Sequence, residues 1–244
     1  ALCLTPGQGA DPAVDLKELP RLSAVEATNA IATFQIKSGF HLEQVATEPL
    51  VRSPIEVCFD ENSRMFVVEM IDYSEMRDQK PHWGRASGLE DTDGDGRYDK
   101  STVFVDDLPW PTGIFWANGG LYIAATPDIF FCRDTNGDGK ADTRELVFTG
   151  FAIDYAPYRT NQLNMQAMLN SFRWGLDNRI HGATAPNGGE ITSLNWTNEK
   201  PVNVRGRDFV FDPRTQRLES EAGGGQYGMA FDDQGRRFVC NNSD

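Results

Sequence analysis

One phrase recurs along this chain and restricts its fold more than any other feature: an apolar strand, a short polar turn, then a second apolar strand. It reads SPIEVCFDENSRMFVVEM at 53–70, PTGIFWANGGLYIAAT at 111–126, SFRWGLDNRIHGAT at 171–184 and QYGMAFDDQGRRFVC at 226–240. The turns begin at Asp60, Ala117, Asp177 and Asp232, in steps of 57, 60 and 55 residues. Strand-like runs STVFVDDL, DIFFCRD, RELVFTGF, EITSLNW and RDFVFDP fill the intervals. A period of about 40–60 residues with roughly four strands per unit predicts an all-β fold of the β-propeller type. One four-stranded sheet leaves a face bare, and copies stacked around an axis cover it. An irregular β-sandwich is the alternative that short strands also permit. Residues 39–244 therefore read as an incomplete β-propeller, about three four-stranded blades and the start of a fourth. A closed ring takes roughly four to eight blades, so the C-terminus is expected to be cut.

Residues 11–38 read as an N-terminal leader with one helical stretch, SAVEATNAIATF at 23–34, where Ser23 and Glu26 are spaced as a capping box. ALCLTPGQGA at 1–10 matches the tail of an export signal with a cleavage site after Ala10. The expectation is an exported protein, periplasmic or extracellular. No run reaches the roughly 18–20 apolar residues of a membrane span. Cys58, Cys132 and Cys240 sit inside apolar runs and are expected as buried free thiols.

The formal net charge is −13 with no basic cluster, which argues against a nucleic-acid partner. The acidity is concentrated in two loops. DTNGDGKADTRE at 134–145 fits the calcium-loop pattern D-x-[DN]-x-[DN]-G-x₅-E at every position. Asp134, Asn136 and Asp138 offer side-chain oxygens, Lys140 its carbonyl, Asp142 a direct or water-borne ligand, and Glu145 a bidentate close. DTDGDGRYD at 91–99 repeats this with Asp91, Asp93, Asp95, Arg97 and Asp99. Its twelfth position is Thr102, so a weaker site is expected, or one completed by Asp106 or Asp107. Strand-like runs follow both loops, which predicts static Ca²⁺ clips on hairpins and not sensor switches.

Catalytic residues are less constrained. Strand ends supply Asp72, Tyr73 and Asp128, and the connection 151–166 supplies Asp154, Tyr155, Arg159, Asn161, Gln162 and Asn164. Of three histidines, His181 is a general base or a packed core residue, and His82 is expected at the surface. There is no GxSxG, no HExxH and no phosphate-cradling loop.

Together, SPIEVCFDENSRMFVVEM, LEDTDGDGRYD, LPWPTGI, RDTNGDGKADTRE, FRWGLDNRIHG and QYGMAFDDQGRRFVCNNSD resemble a family of large exported planctomycete-type proteins. Its members are named as membrane-bound dehydrogenases or PVC-type haem-binding proteins. The resemblance runs from about residue 40 to the end. It implies a six-bladed propeller similar to quinone-dependent glucose/sorbosone dehydrogenases, often followed by a c-type haem domain. No CxxCH occurs in this chain, so a haem belongs to a domain absent from it. On that resemblance the cofactors are Ca²⁺ and pyrroloquinoline quinone. Arg159 and Arg173 then hold the quinone, His181 serves as base, and the partners are a sugar or polysaccharide and a haem domain. Two other functions fit the residues: a non-catalytic propeller binding carbohydrate or protein, and a lyase or hydrolase using Ca²⁺ as Lewis acid.

Overall fold

The computed structural model describes residues 23, 25–73, 76, 79–152, 168–185 and 187–241. The expected export remnant at 1–10 and the connection 153–167, Arg159 included, lie outside them. The chain divides into two units, residues 1–43 and 44–244. In the first, the helical stretch is short: α1 spans Ala27–Ala30 and runs into a 3₁₀ turn at Ile31–Thr33. Glu26 occupies the N-cap without a side-chain cap bond, so the capping box does not form. None of its four residues is buried, and a helix so short is marginal on its own.

The second unit is all-β and antiparallel. Strands β1 (Pro54–Phe59), β2 (Met65–Glu69), β3 (Gly84–Glu90) and β4 (Lys100–Leu108) form one sheet in chain order. Strands β5 (Pro111–Ala117), β6 (Gly120–Ala125), β7 (Asp128–Arg133) and β8 (Thr143–Phe151) form the next. A third begins with β9 (Asn170–Trp174) and β10 (Ile180–Ala183). The chain then leaves it, adds β11 (Gly189–Thr192) and β12 (Val202–Asn203) to the β8 edge of the second sheet, and returns as β13 (Asp208–Asp212) and β14 (Arg217–Glu221). A hairpin of β15 (Met229–Phe231) and β16 (Arg237–Val239) follows. The four recurring phrases are the hairpins β1–β2, β5–β6, β9–β10 and β15–β16. Their first strands lie against one another in sequence, β1 on β5, β5 on β9 and β9 on β15.

Turn chemistry sets the hairpins. Asp60 Oδ1 accepts the Asn62 and Arg64 amides and Oδ2 the Arg64 guanidinium, at 2.7–2.9 Å. Asp232 does the same with Gln234 and Arg236 at 2.6–3.0 Å. The third residue after each Asp has positive φ, Ser63 at 65° and Gly235 at 74°. In β5–β6 the turn is Asn118-Gly119, with φ of 54° and 70°. Paired positive φ of that kind matches the strand twist in a two-residue hairpin.

Burial comes from stacking the sheets. Every residue of β6 is buried. Leu121 and Ile123 face the first sheet, where Phe66, Val68, Phe104 and Leu108 meet them. Tyr122 and Ala124 face the third, among Phe148, Phe172, Phe209 and Phe211. A sheet covered on both faces has no polar alternation to display, which is why GLYIAA reads as one apolar run. Cys58 is half-buried, Cys132 buried and Cys240 exposed. Burial pushes the first two thiols up to about 12, and the expectation for Cys240 is corrected. It caps a strand whose outer face nothing described covers.

Candidate metal loops and ligand cavity

The acidic loops occupy the β3–β4 and β7–β8 connections and share one internal frame. Asp91 takes the Gly94 and Gly96 amides at 2.7 and 2.9 Å. Asp134 takes those of Gly137 and Gly139 at 2.7 and 2.8 Å. These glycines have φ of 77–89°, so the backbone curls around each leading carboxylate at no steric cost. Asp95 and Asp138 accept the amides of Arg97 and Lys140 at 2.8 and 2.9 Å. Asn136 accepts the Asp138 amide at 2.9 Å. Asp99 and Asp142 close the loops by accepting the hydroxyls of Thr92 and Thr135 at 2.7 and 2.8 Å. Amide donors, first from Gly96 and Gly139, hold the Asp91 and Asp134 carboxyls below their ordinary range.

Three of the expected ligands of the first loop lie together. Asp91, Asp93 and Asp99 bring ligand oxygens within 4.8 Å of one another. That convergence of exposed carboxylates fits a hard cation, which takes oxygen ligands at roughly 2.3–2.6 Å. The matching positions of the second loop are Asp134, Asn136 and Asp142, with an amide in the middle. Glu145, expected as its closing ligand, stands in β8 opposite Phe131. Its Oε1 accepts Asn195 Nδ2 at 2.9 Å and Gln216 Nε2 at 3.3 Å, tying the β11–β12 and β13–β14 connections to β8. Asp107 is likewise committed elsewhere, to the His82 amide and ring at 2.7 and 2.8 Å. The His82 side chain is only 10% exposed and is no surface residue.

A cavity of about 400 Å³ lies at the other end of the strands, lined by Ser53, Ile55, Met70, Tyr73, Thr112, Met168 and Tyr227 among others. Those residues come from the starts of β1, β5 and β9, the end of β2 and the lead into β15. In an up-and-down sheet these points share one edge, and the β3–β4 and β7–β8 loops share the opposite one. Seven residues of β3 separate the two edges by roughly 20 Å. A cation in either loop therefore stands far from a ligand in the cavity.

The predicted catalytic residues are dispersed. His181 is 5% exposed in β10, its Nδ1 on Glu221 at 2.9 Å and its Nε2 on Asp177 at 3.1 Å. Arg179 holds Asp177 and Glu219, and Arg237 holds Glu221 at 2.7 Å. Both ring nitrogens are engaged in this structure, an arrangement that suits the packed-core alternative for His181. Burial alone would lower the imidazole, but the bonds to Glu221 and Asp177 outweigh it and leave it raised above 6.5. A raised histidine stabilises fully below its unfolded value and loses that contribution as pH rises through the folded one. We expect His181→Asn to lower the urea midpoint at pH 6 and to remove the loss of stability between pH 6 and pH 8.5. An unchanged pH slope would show that the contact contributes nothing.

Arg173, in β9, donates to Glu56 of β1 across β5. Asp128 accepts the Thr149 hydroxyl at 2.6 Å. Asp72 is fully buried between the lining residues Ile71 and Tyr73. Neither of its carboxylate oxygens has a partner among the described residues, and burial raises its carboxyl. Tyr227 donates to the Thr112 carbonyl at 3.3 Å. Its phenol is pushed up to about 12 by burial first and then by the charge of Glu56. Sequence reading passed over Glu56, Thr112 and Tyr227. The one available signal was a carboxylate inside the otherwise apolar run PIEVCF.

The family model described as a domain of unknown function, DUF7133, matches residues 26–244. No curated protein sequence matches. Among solved structures, the holo form of a pyranose dehydrogenase PQQ domain from Coprinopsis cinerea aligns with a TM-score of 0.53 at 15% identity. The alignment covers 83% of this chain and 46% of that one. A luciferin-regenerating enzyme aligns at 0.45 and 7% identity, over 78% and 52%. A calcium structure of a Trichoderma reesei carbohydrate-active enzyme of family AA12 aligns at 0.42 and 14%, over 70% and 38%. The chain thus spans about half the length of the structures it resembles or less. At 15% identity the first likeness concerns the fold alone.

Proposed function

We propose the following for this chain, which belongs to the DUF7133 family: it is part of an exported, six-bladed β-propeller dehydrogenase acting on sugars or related alcohols. The observation that carries this reading is the ordered packing of first strands β1, β5, β9 and β15, with a cavity at their starts. Four-stranded sheets stacked by their first strands generate an axis, and propellers bind ligands where loops meet at one mouth of it. The fold likeness to a PQQ domain gives the reading its chemical class by analogy.

Pyrroloquinoline quinone would supply a carbonyl system that accepts hydride. The lining suits the flat body of such a ring, through Tyr73, Tyr227, Met70 and Met168. Its carboxylates call for cations, and the described lining residues include none. Arg173 is held by Glu56, which leaves Arg159 as the remaining candidate. Calcium in the two loops acts as a structural clip remote from the cavity, which sets aside a Lewis-acid role at those loops. A c-type haem domain elsewhere in the protein would accept the electrons.

The second reading is a propeller that binds carbohydrate without chemistry. The clamped His181 favours it, since both ring nitrogens of the candidate base are engaged. Incubating the full-length protein with the quinone, calcium, an artificial electron acceptor and a panel of sugars separates the two. Dye reduction dependent on both quinone and sugar is expected. Saturable glycan binding without reduction by any sugar would favour the second reading.

A further inference from the structure

The wall of the cavity is mostly apolar and aromatic. Tyr73 and Tyr227 bring two phenol rings to it, Met70 and Met168 two thioethers, and Ile55 and Ile71 aliphatic surface. Met70 and Met168 are buried and pack with Trp110, so this part of the wall belongs to the core. Aromatic rings and polarisable sulfur both favour contact with another aromatic ring.

The polar side of the wall is thin. Its hydroxyls belong to Ser53, Tyr73, Thr112 and Tyr227 among the described residues. Thr112 already donates to the Leu169 carbonyl at 2.5 Å, and Tyr227 to the Thr112 carbonyl at 3.3 Å. Ser53 and Tyr73 are then the described hydroxyls left to donate to a ligand. A sugar presents a hydroxyl on nearly every carbon, and each one buried without a partner costs roughly 1–3 kcal/mol. A ligand with a single hydroxyl can be served in full.

Charge narrows the class further. Asp72 is fully buried between the lining residues Ile71 and Tyr73, with neither carboxylate oxygen partnered among the described residues. At the Tyr227 phenol, raised by burial first, the charge of Glu56 outweighs that of Arg173. An anion in the cavity would meet like charge behind the wall, and the described lining offers it no cation.

We infer that the cavity seats a neutral aromatic alcohol, its ring among Tyr73, Tyr227, Met70 and Met168 and its hydroxyl paired with Ser53 or Tyr73. The inference rests on the reading above that this cavity is the ligand site of a dehydrogenase, and it narrows the substrate to an aryl-bearing alcohol. The carboxylates of a quinone then call for cations outside the described lining. The volume of about 400 Å³ falls in the range of about 300–1,000 Å³ usual for small-molecule sites.

The test is binding to the full-length protein without any quinone or electron acceptor, by saturation-transfer NMR and calorimetry. Naphthalenemethanol, naphthoate, D-glucose and myo-inositol are the probes. Naphthalenemethanol is expected to bind saturably and more tightly than either polyol. Naphthoate, the same ring system with a carboxylate, is expected to bind roughly tenfold more weakly than the alcohol. Tyr73→Ala removes a side chain that is half exposed, and is expected to fold and to weaken naphthalenemethanol by roughly tenfold. If it does not fold, Tyr227→Leu takes its place with the same expectation. No saturable binding of naphthalenemethanol, naphthoate bound as tightly, a polyol bound more tightly, or affinity unchanged in the aromatic variant would each overturn the inference. Naphthalenemethanol bound, with no alcohol or sugar oxidised once quinone and acceptor are added, would sink the dehydrogenase reading and leave this seat intact. Sugar oxidation without naphthalenemethanol binding would do the reverse.

Discussion

Replacing Phe211 with alanine is expected to destabilise the second unit by about 3–5 kcal/mol, the usual cost of emptying a buried aromatic site. Phe211 is fully buried in β13. Its ring lies 5.3 Å from both Tyr122 and Phe148 of the second sheet and 6.1 Å from Phe172 of its own. It is thus a side chain on which two sheets close. Against a typical total of about 5–15 kcal/mol, that loss removes a large share of the stability. For a unit of this size it corresponds to a fall in Tm of roughly 10 °C. Leu176→Ala, in the exposed β9–β10 turn at 71% exposure, is the matched control and should stay within about 0.5 kcal/mol. Equal denaturant midpoints for the two variants would mean that the sheets do not depend on this cluster.

Stripping calcium should have the next largest effect. Each loop that holds an ion at a hundredfold excess over its Kd contributes about 2.7 kcal/mol of linkage. A chelator is therefore expected to lower Tm, and added calcium to restore it. An unchanged Tm in chelator would refute the calcium assignment. The variants sharpen it. Asp99→Asn removes one of three converging carboxylates and should weaken the first loop's affinity severalfold. Glu145→Gln should leave calcium affinity unaltered, because Glu145 faces Asn195 and Gln216. A large loss of affinity in Glu145→Gln would restore it as a ligand. Acid should mimic the chelator. Asp91 and Asp134 are held below 3.8, so their contribution is present above that value and is lost as pH falls through the lower folded one.

Much of this architecture was legible in the amino-acid order, and the readable parts share a property. The hairpin turns, with Asp60 bonded to Arg64 and Asp232 to Arg236, join residues four apart. The acidic loops join Asp91 to Gly96 and Asp134 to Gly139, five apart. Spacing that short leaves its donors and acceptors in the sequence pattern. The buried runs MFVVE and GLYIAA were legible for the same reason, since a strand covered on both faces needs apolar side chains at every position.

The parts that no local pattern records depend on partners far along the chain. Glu145 satisfies a calcium-loop pattern, yet it serves Asn195 and Gln216, 50 and 71 residues on. His181 reads as a base or a core residue, and Glu221, 40 residues away, holds its Nδ1. Arg173 meets Glu56 across 117 residues, over a Gly113 whose missing side chain gives no hint of what passes above it. The strands β11 and β12 leave the third sheet to extend the second, a choice of edge that no periodicity records. By itself, the sequence determined the strands, the tight turns and the metal-loop frames, because each closes within a few residues. Only the tertiary structure decided which carboxylates remain for a ligand, because that depends on which sheets the chain brings face to face.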